Sequence, residues 1–268
     1  MQVSALSVCE LLSPAFSCVG GRLICDKRDA FLLENFDELT PQILEQVMYH
    51  MLFALPQELP WGTVAILPNP VNRFCIDLRE QRGKDNSPTK WMRSKKFRKY
   101  IGDFDIVVKT DLRSDLALAK RYHECRTGGT WITAELIELL QAVSHGGRDV
   151  VQCFSFSLVS KSSAVPAAVC LGFACGGVYQ DYTMCTPVRD TRSCGSLLSR
   201  TVGCILQQMG VSLWYWGYRM PYMDQYSAYG ARDFSREEFN DLLRQLRCTR
   251  LLPLEAVALP HNITLHIQ

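Results

Sequence analysis

The sequence predicts an α+β fold in which helices pack on a largely antiparallel sheet. Helical and strand-like periodicities of apolar residues follow each other in the order helix, strand, helix, β-meander, helix, strand, helix. Three β-rich segments come one after another between residues 150 and 185, a grouping typical of antiparallel neighbours. Hydrophobic residues make up 47% and charged residues 21% of the 268 residues, as in a globular protein with a substantial core.

The first predicted element is a helix that follows Leu39. Thr40 can cap this helix, Pro41 suits its first turn, and apolar side chains recur at helical spacing from Ile43 to Leu52. We expect Pro56 to end the helix because proline lacks the amide proton that a helix needs. Two strands should then flank the turn at residues 68–70, which reads Pro-Asn-Pro.

A polar stretch over residues 79–90 interrupts this pattern. It contains glycine, proline and several charged residues and has no apolar periodicity. We interpret it as a boundary between a small N-terminal α/β domain, residues 1–88, and a larger domain, residues 89–268.

The larger domain begins with a short basic helix and a strand, followed by two helices that a Gly-rich turn separates. Three strands, a helix, an aromatic strand and an amphipathic helix complete it. The expected ranges are 92–100, 104–109, 114–123, 134–143, 150–158, 164–175, 177–185, 194–209, 213–218 and 236–248. This order suits an acetyltransferase-like mixed sheet better than a doubly wound parallel sheet.

The composition excludes several classes of protein. The twelve cysteines are scattered, contain no C-x-x-C pair and form no metal-ligand pattern with the five histidines. We therefore expect reduced thiols and neither a metal nor another cofactor. No apolar run approaches the roughly 20 residues of a membrane span, and the N-terminus lacks the early basic residues of a signal peptide. A cytoplasmic monomer without a membrane partner is the expectation.

The strongest electrostatic feature is a basic run from Arg79 to Lys99. It contains nine basic residues and only two acidic ones, although the net charge of the whole chain is only +2. Such clusters bind phosphate backbones by neutralising their charge. The alternative interpretation is a solvated surface beside a linker. The five cations of the predicted helix are Arg93, Lys95, Lys96, Arg98 and Lys99.

Two glycine-containing motifs have weaker functional meaning. Residues 171–179 lack the spacing of a P-loop or a dinucleotide site, so a tight turn between strands is the better interpretation. Residues 192–196 open a helix and half-match the loop that holds the pyrophosphate of acyl-CoA in acetyltransferases. Leu197 stands where that pattern has a small residue. The chain contains no nucleophile elbow of the G-x-S-x-G type.

Taken in order, several segments from about residue 31 to 248 resemble the leucyl/phenylalanyl-tRNA–protein transferase family. The most specific is Gly129-Thr130-Trp131-Ile132-Thr133. The others are Leu39-Thr40-Pro41, Pro68-Asn69-Pro70, Ser94-Lys95-Lys96-Phe97, the strand pair at residues 172–186, and Asp224-Gln225-Tyr226-Ser227-Ala228-Tyr229-Gly230-Ala231.

The resemblance implies an acetyltransferase-like domain that transfers Leu or Phe from aminoacyl-tRNA to the N-terminal α-amine of a protein. The acceptor is typically Arg or Lys, and the product enters N-end-rule degradation. The aminoacyl ester is already activated, so the reaction requires no cofactor. Trp131 would line the active site, and Phe173 and Tyr179 would line the aminoacyl pocket. The five cations of the basic helix would contact the tRNA acceptor stem.

The chain departs from the family at its carboxylates. Tyr182 stands at the position of the pocket glutamate, and Tyr215 or Tyr218 stands at the position of the aspartate. A phenol is a poor base near neutral pH. Either the base role has moved to Asp181, which points to the opposite face of its strand from Tyr182, or to Asp224, or the chemistry has been lost. The family's tandem tryptophan is also missing, because Ile66-Leu67 replaces it.

Three hypotheses follow. The first is an active aminoacyl-tRNA–protein transferase, for which the catalytic candidates are Trp131, Asp181, Tyr182, Tyr215 and Tyr218. The second is a catalytically silent relative that binds RNA or an N-degron as a scaffold. The third is an acyl-CoA-dependent N-acyltransferase.

Overall fold

A computed structural model of the protein describes residues 3–5, 28–80, 94–146, 151–163, 165–259 and 263–268. The predicted domain boundary at residue 88 and the predicted phosphate-binding residue Arg93 lie outside the described residues. No helix within the described ranges is long and apolar enough to cross a bilayer.

The first part of the chain forms a four-stranded sheet with the order β1-β2-β4-β3. The helix α1 falls within the same part of the chain. The strands and helix are β1 (Val3–Ala5), β2 (Ala30–Leu33), α1 (Pro41–Tyr49), β3 (Leu55–Leu59) and β4 (Gly62–Pro68).

Helix α1 confirms the predicted cap. The Thr40 hydroxyl accepts a hydrogen bond from the Ile43 amide at 3.3 Å, and Pro41 occupies the first turn. The helix ends at Tyr49, three residues before the end of the apolar periodicity, because Met51 adopts a positive φ of 53°.

The remaining strands form an eight-stranded sheet with the order β11-β5-β10-β9-β8-β7-β6-β12. All neighbouring pairs are antiparallel except β9 with β10 and β6 with β12. The strands are β5 (Asn72–Asp77), β6 (Phe104–Lys109), β7 (Val151–Ser160), β8 (Pro166–Cys175), β9 (Val178–Cys185), β10 (Leu213–Tyr215), β11 (Arg232–Ser235) and β12 (Leu265–Ile267). Strand β5 precedes residue 88 and nevertheless belongs to this large sheet.

Helices cover both faces of the large sheet. They are α2 (Lys95–Tyr100), α3 (Arg113–Thr127), α4 (Ala134–Gly146), α5 (Cys194–Met209), α6 (Asp224–Ser227) and α7 (Arg236–Leu246). Apolar residues of α1, α3, α4 and α7 pack on one face, which we call the front. Apolar residues of α2, α5 and α6 pack on the other, the back. The predicted α+β class with a large mixed sheet is confirmed.

The parallel pair of β9 and β10 is short. It covers only three residue pairs, from Leu213–Val178 to Tyr215–Gln180. The chain after Tyr215 then follows β5, since the Trp216 amide donates to the Phe74 carbonyl at 3.0 Å. Beyond this point β9 and the chain after β10 separate, and we call the opening beside residues 181–185 the strand split.

Candidate functional site

A carboxyl group lies where the strand split begins. Asp181 projects to the back of the sheet, and its Oδ1 accepts hydrogen bonds from Trp214 Nε1 at 3.0 Å and from Cys170 Sγ at 3.4 Å. Burial raises the pKa of this carboxyl to about 7, although the hydrogen bonds from Trp214 and Cys170 oppose the shift. Asp181 can therefore exchange a proton near neutral pH, which an ordinary aspartate does not do.

Aromatic side chains surround this carboxyl. Trp214 and Trp216 lie with ring centroids 4.5 Å apart, and Trp216 stacks on Tyr226 at 4.8 Å. The Tyr226 hydroxyl is 2.9 Å from Ser199 Oγ, which ties the group to α5. The charge of Asp181 contributes, after burial, to a raised pKa of Tyr226 and of the exposed Tyr222. Asp181 therefore lies in an aromatic recess close to exposed Tyr222.

The N-terminus of α5 lies at an open cleft of about 700 Å³. The helix leaves its first backbone amides without a side-chain cap, because Ser193 adopts a left-handed conformation with φ of 59°. Together with the helix dipole, such free amides favour an anion. Lining residues that can donate hydrogen bonds or carry positive charge are Ser94, Lys96, Thr186, Arg189, Ser193, Ser196, Arg200 and Gln225.

One glycine permits this arrangement. A Cβ on Gly195 would lie 2.8 Å from Thr186 Oγ1, closer than van der Waals contact allows. Glycine at this position therefore lets the first turn of α5 approach the end of β9. The one acidic residue at the cleft, Asp190, pairs with Arg192 at 2.6 Å. The remaining cations keep the cleft positively charged.

The basic helix α2 adjoins the cleft. Lys96 Nζ donates to Ser193 Oγ at 2.6 Å. Lys95, Lys96, Arg98 and Lys99 are exposed, whereas Phe97 is buried beneath them. None of the four cations forms an ion pair with a described residue. The structure thus places Lys96, one of the five predicted phosphate-binding residues, at the N-terminus of α5, and three others are exposed on the same short helix.

On the front face, three aromatic rings form a cluster beside β9. The Trp131 ring centroid lies 5.1 Å from that of Tyr182, and the Phe53 centroid lies 5.8 Å from that of Tyr182. The Tyr182 hydroxyl donates to the Ala54 carbonyl at 3.3 Å. The apolar cavity between Tyr182 and Phe173 measures only about 10 Å³, roughly the space of one water molecule. The side chains of the protein itself therefore fill this pocket.

The other predicted site residues are dispersed. Phe173 is buried in the front core and Tyr179 in the back core, so the two proposed pocket residues do not meet. Tyr215 is buried in the front core, 4.9 Å from Phe239 between ring centroids. Tyr218 is 47% exposed. The second base candidate, Asp224, is paired with Arg219 at 2.9 Å.

Two groups of residues escaped the sequence analysis. The sequence pattern indicates only that Trp214 and Cys170 lie on strands. The pairing of those strands brings both side chains to Asp181. A second group joins α3 to the loop after β9 through Tyr122 and Arg189. No spacing rule could have found this long-range contact. A tyrosine and an arginine four residues apart on α3, Tyr122 and Arg126, were the one available signal.

No protein-family model matches the sequence, and no curated protein is detectably similar to it. Solved structures that resemble part of the chain include the following three. A functionally unknown conserved protein from Staphylococcus epidermidis ATCC 12228 shares 9% identity with a TM-score of 0.37, over 77% of this chain and 68% of its own. The C-terminal domain (DUF2156) of a protein assigned as a lysylphosphatidylglycerol synthetase from Agrobacterium fabrum shares 11% with a TM-score of 0.42, over 82% and 61%.

The third is a tandem GNAT protein from the clavulanic acid biosynthesis pathway, solved without AcCoA. It shares 11% identity with a TM-score of 0.39, over 77% of this chain and 62% of its own. The chain thus spans less than two thirds of the second and third of these structures. Its fold is evident from its own topology: a strand, two helices, a three-stranded meander, a helix and a parallel strand that separates from its neighbour. This is the acetyltransferase-type, or GNAT-type, arrangement.

Proposed function

We propose that the chain is an aminoacyltransferase that moves an amino acid from aminoacyl-tRNA to the N-terminal α-amine of a protein. The observation that carries the proposal is the positively charged cleft at the start of α5, which Lys96 joins to the basic helix α2. A degradation signal of the N-end-rule type would be the biological product, as the resemblance to the transferase family implies.

The distribution of charge favours a nucleic-acid donor. The free amides of α5, with Lys96 and Arg200, suit phosphate groups inside the cleft. Three further exposed cations on α2 continue the positive surface beyond the cleft. Phosphate backbones bind such extended surfaces through many weak contacts. A small phosphorylated donor would engage the cleft and leave the outer cations of α2 unused.

The reaction itself needs one proton acceptor. The α-amine nitrogen attacks the ester carbonyl, the carbon–oxygen bond to the tRNA ribose breaks, and an amide bond forms. In this proposal the Asp181 carboxylate takes the proton that the amine loses and returns it to the departing ribose oxygen. The pKa of Asp181, about 7, lies within about one unit of an ordinary α-amine, for which the pKa is about 7.7–8.0. Such matching lets the same carboxyl serve in both transfers.

Tyr182, the phenol at one of the family's carboxylate positions, is not the base in this proposal. Burial raises the pKa of Tyr182 above its usual value, so its hydroxyl stays protonated at neutral pH. Trp131, half-buried beside Tyr182, would stack on the terminal adenosine of the tRNA. The filled front pocket has no room for a leucine or phenylalanine side chain while Tyr182 and Phe173 keep these positions. We therefore expect a donor amino acid with a small side chain to be preferred.

Specific observations favour two other candidates. The volume of the cleft and the amides of α5 also suit acyl-CoA, which would make the protein an N-acyltransferase. Tyrosines at both family carboxylate positions favour a catalytically silent relative that binds tRNA or an N-degron as a scaffold.

A donor panel distinguishes the three candidates. Purified protein is mixed with radiolabelled Ala-, Leu-, Phe- and Arg-tRNA, or with acetyl-CoA, and with peptides that differ at the N-terminal residue. The proposal predicts transfer from at least one aminoacyl-tRNA and none from acetyl-CoA. Transfer from acetyl-CoA alone would establish the N-acyltransferase. Salt-sensitive tRNA binding without any transfer would establish the silent relative.

A pair of charge reversals tests the cleft. Lys96→Glu should raise the KM for the tRNA donor at least about tenfold, because it places a negative charge beside the phosphates. Arg250→Glu makes the same change of charge near the C-terminal end of α5, where the Leu252 amide binds the Met209 carbonyl. That end lies about 24 Å from Ser193 along the helix, so this control should leave the KM within about twofold.

A further inference from the structure

Two guanidinium groups converge on one phenol at the front edge of the strand split. Arg126 Nη1, from α3, donates to the Tyr122 hydroxyl at 2.9 Å. Arg189 Nη2, from the loop after β9, donates to the same oxygen at 2.9 Å. The two arginines come from separate elements, so the fold itself, and not a local run of sequence, brings their charges together.

No carboxylate balances these charges among the described residues. Neither Arg126 nor Arg189 forms an ion pair there, whereas exposed Arg113 and Arg232 each pair with a glutamate. Burial alone would raise the pKa of Tyr122, but the hydrogen bonds and charges of both arginines lower it. Burial and then the charge of Arg126 lower the pKa of the neighbouring His123. The group is therefore a centre of uncompensated positive charge.

This centre lies beside the proposed reaction site. His123 Nε2 is 2.8 Å from Thr183 Oγ1. Thr183 follows Asp181 by two residues on β9, a separation of about 7 Å along a strand. The register of β9 shifts between these residues, since Gly172 pairs with Asp181 and Leu171 with Thr183. Thr183 therefore faces the front of the sheet with Leu171, although Asp181 faces the back.

We propose that Arg126 and Arg189 bind the side-chain carboxylate of an acceptor peptide whose N-terminal residue is aspartate or glutamate. The inference rests on the proposed function, because it names the acceptor of that reaction. In an acidic N-terminal residue the α-amine and the side-chain carboxylate are a few ångströms apart. The amine could then reach the strand split while the carboxylate binds the two guanidinium groups.

The chemistry of the centre favours this acceptor over the arginine or lysine that the resembled family takes. Guanidinium groups bind carboxylates with paired, charge-assisted hydrogen bonds. The same two charges repel a cationic side chain, so they select against arginine and lysine as well as for acids. The hydroxyl of Tyr122 now occupies the place of an anionic oxygen and keeps both arginines in position.

Peptide binding in the absence of donor tests the inference directly. Calorimetry at fixed ionic strength compares Asp-Ala-Ala-Ala, its isostere Asn-Ala-Ala-Ala, and Lys-Ala-Ala-Ala. We expect the Asp peptide to bind at least about tenfold more tightly than the Asn peptide, and the Lys peptide to bind most weakly. Arg126→Gln/Arg189→Gln should reduce the Asp-over-Asn preference to about twofold or less.

One variant serves as the control. Arg121→Gln removes an exposed charge from α3 at a position about 100° around the helix from Tyr122, and it should keep the preference. Equal binding of the Asp and Asn peptides to the wild-type protein would overturn the inference. The inference would also fail if the double variant Arg126→Gln/Arg189→Gln kept the Asp-over-Asn preference. It would fail as well if this variant lost only its affinity for tRNA, because the two arginines would then bind the donor.

The inference and the proposed function can fail separately. If the wild-type protein prefers the Asp peptide but transfers nothing from any donor, the acidic subsite is supported and the proposed enzyme activity is refuted. If the protein transfers an amino acid equally well to Lys- and Asp-peptides, the enzyme activity is supported and the acidic subsite is refuted.

Discussion

At the scale of single residues, the neighbours Asp181 and Tyr182 have opposite environments. Asp181 faces the back of the sheet, where an indole and a thiol donate hydrogen bonds to it. Tyr182 faces the front, where it fills the apolar pocket beside Phe173. The carboxyl group of this pair therefore lies on the back face, whereas the resembled family has its pocket glutamate at the position of Tyr182.

The raised pKa of Asp181 gives a prediction for stability. Below about pH 4 the carboxyl is protonated in both the folded and the unfolded protein. Between about pH 4 and 7 only the unfolded state loses its proton, so stability falls as the pH rises through this range. Asp181→Asn removes the titration. Relative to wild type, we expect the variant to gain on the order of 2–4 kcal/mol of unfolding free energy between pH 4 and pH 8.

Urea unfolding of both proteins at the two pH values measures this gain. Asp224→Asn is the control, because Asp224 is exposed and already paired with Arg219. Its difference from wild type should change by less than about 1 kcal/mol over the same range. If Asp181→Asn differs from wild type by the same amount at both pH values, Asp181 is not the buried titrating group.

The sequence predicts those parts of the site that depend on residues close together in the chain, and not those that depend on contacts between separate strands. Alternation along β9 is enough to predict that Asp181 and Tyr182 face opposite ways. The donors to Asp181 come from neighbouring strands, and their positions depend on the register of Gly172 with Asp181 and of Trp214 with Tyr179. A one-residue slip would move either donor to the other face. These strands are buried on both faces, so their hydrophobic pattern does not determine the register.

At the scale of elements, the junction of β9, α5 and α2 determines the cleft. The predicted ranges of α5 and of the strands β6, β8 and β9 agree with the structure to within two residues, because their periodicity is strong. Helix α3 continues four residues beyond its predicted end at His123, to a left-handed Gly128. The extension carries Arg126, so the missed turn of helix is also the reason that the cationic centre was missed.

Gly195 provides a test of this junction. Gly195→Ala places a Cβ against Thr186 Oγ1 and should push the first turn of α5 away from β9. We expect donor affinity to fall about tenfold, because the cleft amides shift, while unfolding free energy changes by less than about 1 kcal/mol. Fluorescence titration with the tRNA donor measures the affinity.

A second substitution should reverse the effect. Gly195→Ala/Thr186→Ser keeps the hydroxyl but frees it to rotate, since serine lacks the branched Cβ of threonine. Donor affinity should return to within about threefold of wild type. An affinity that stays low would mean that the glycine is needed for a reason other than its contact with Thr186.

At the scale of the whole molecule, the small and large sheets are joined by polar contacts that span the sequence. Arg236, at the start of α7, donates from Nη2 to the Asn69 carbonyl at 2.7 Å and to Asp29 Oδ1 at 2.8 Å. Strand β5 enters the large sheet directly after this turn. The Pro-Asn-Pro turn is thus the point at which the first part of the chain is anchored to the last.

Removal of this anchor should destabilise the whole molecule. Arg236→Met removes the hydrogen bonds of this side chain to Asp29 and to two backbone carbonyls, so we expect a loss of about 2–4 kcal/mol in one cooperative unfolding transition. Arg232→Met, four residues before Arg236, removes an exposed pair with Glu238 and should cost less than about 1 kcal/mol. Calorimetry that resolves two transitions, with only one lowered by Arg236→Met, would show that the two sheets unfold independently.

Asp181 is the group that moves the proton in the proposed reaction. The most direct measurement is the single-turnover rate of aminoacyl transfer against pH, for wild type and Asp181→Asn, with the best tRNA donor of the panel. For wild type we expect a rise with pH that includes a step near 7, and for the variant a loss of that step with a rate at least about 100-fold lower. A variant that transfers at the wild-type rate, with an unchanged pH profile, would contradict the account.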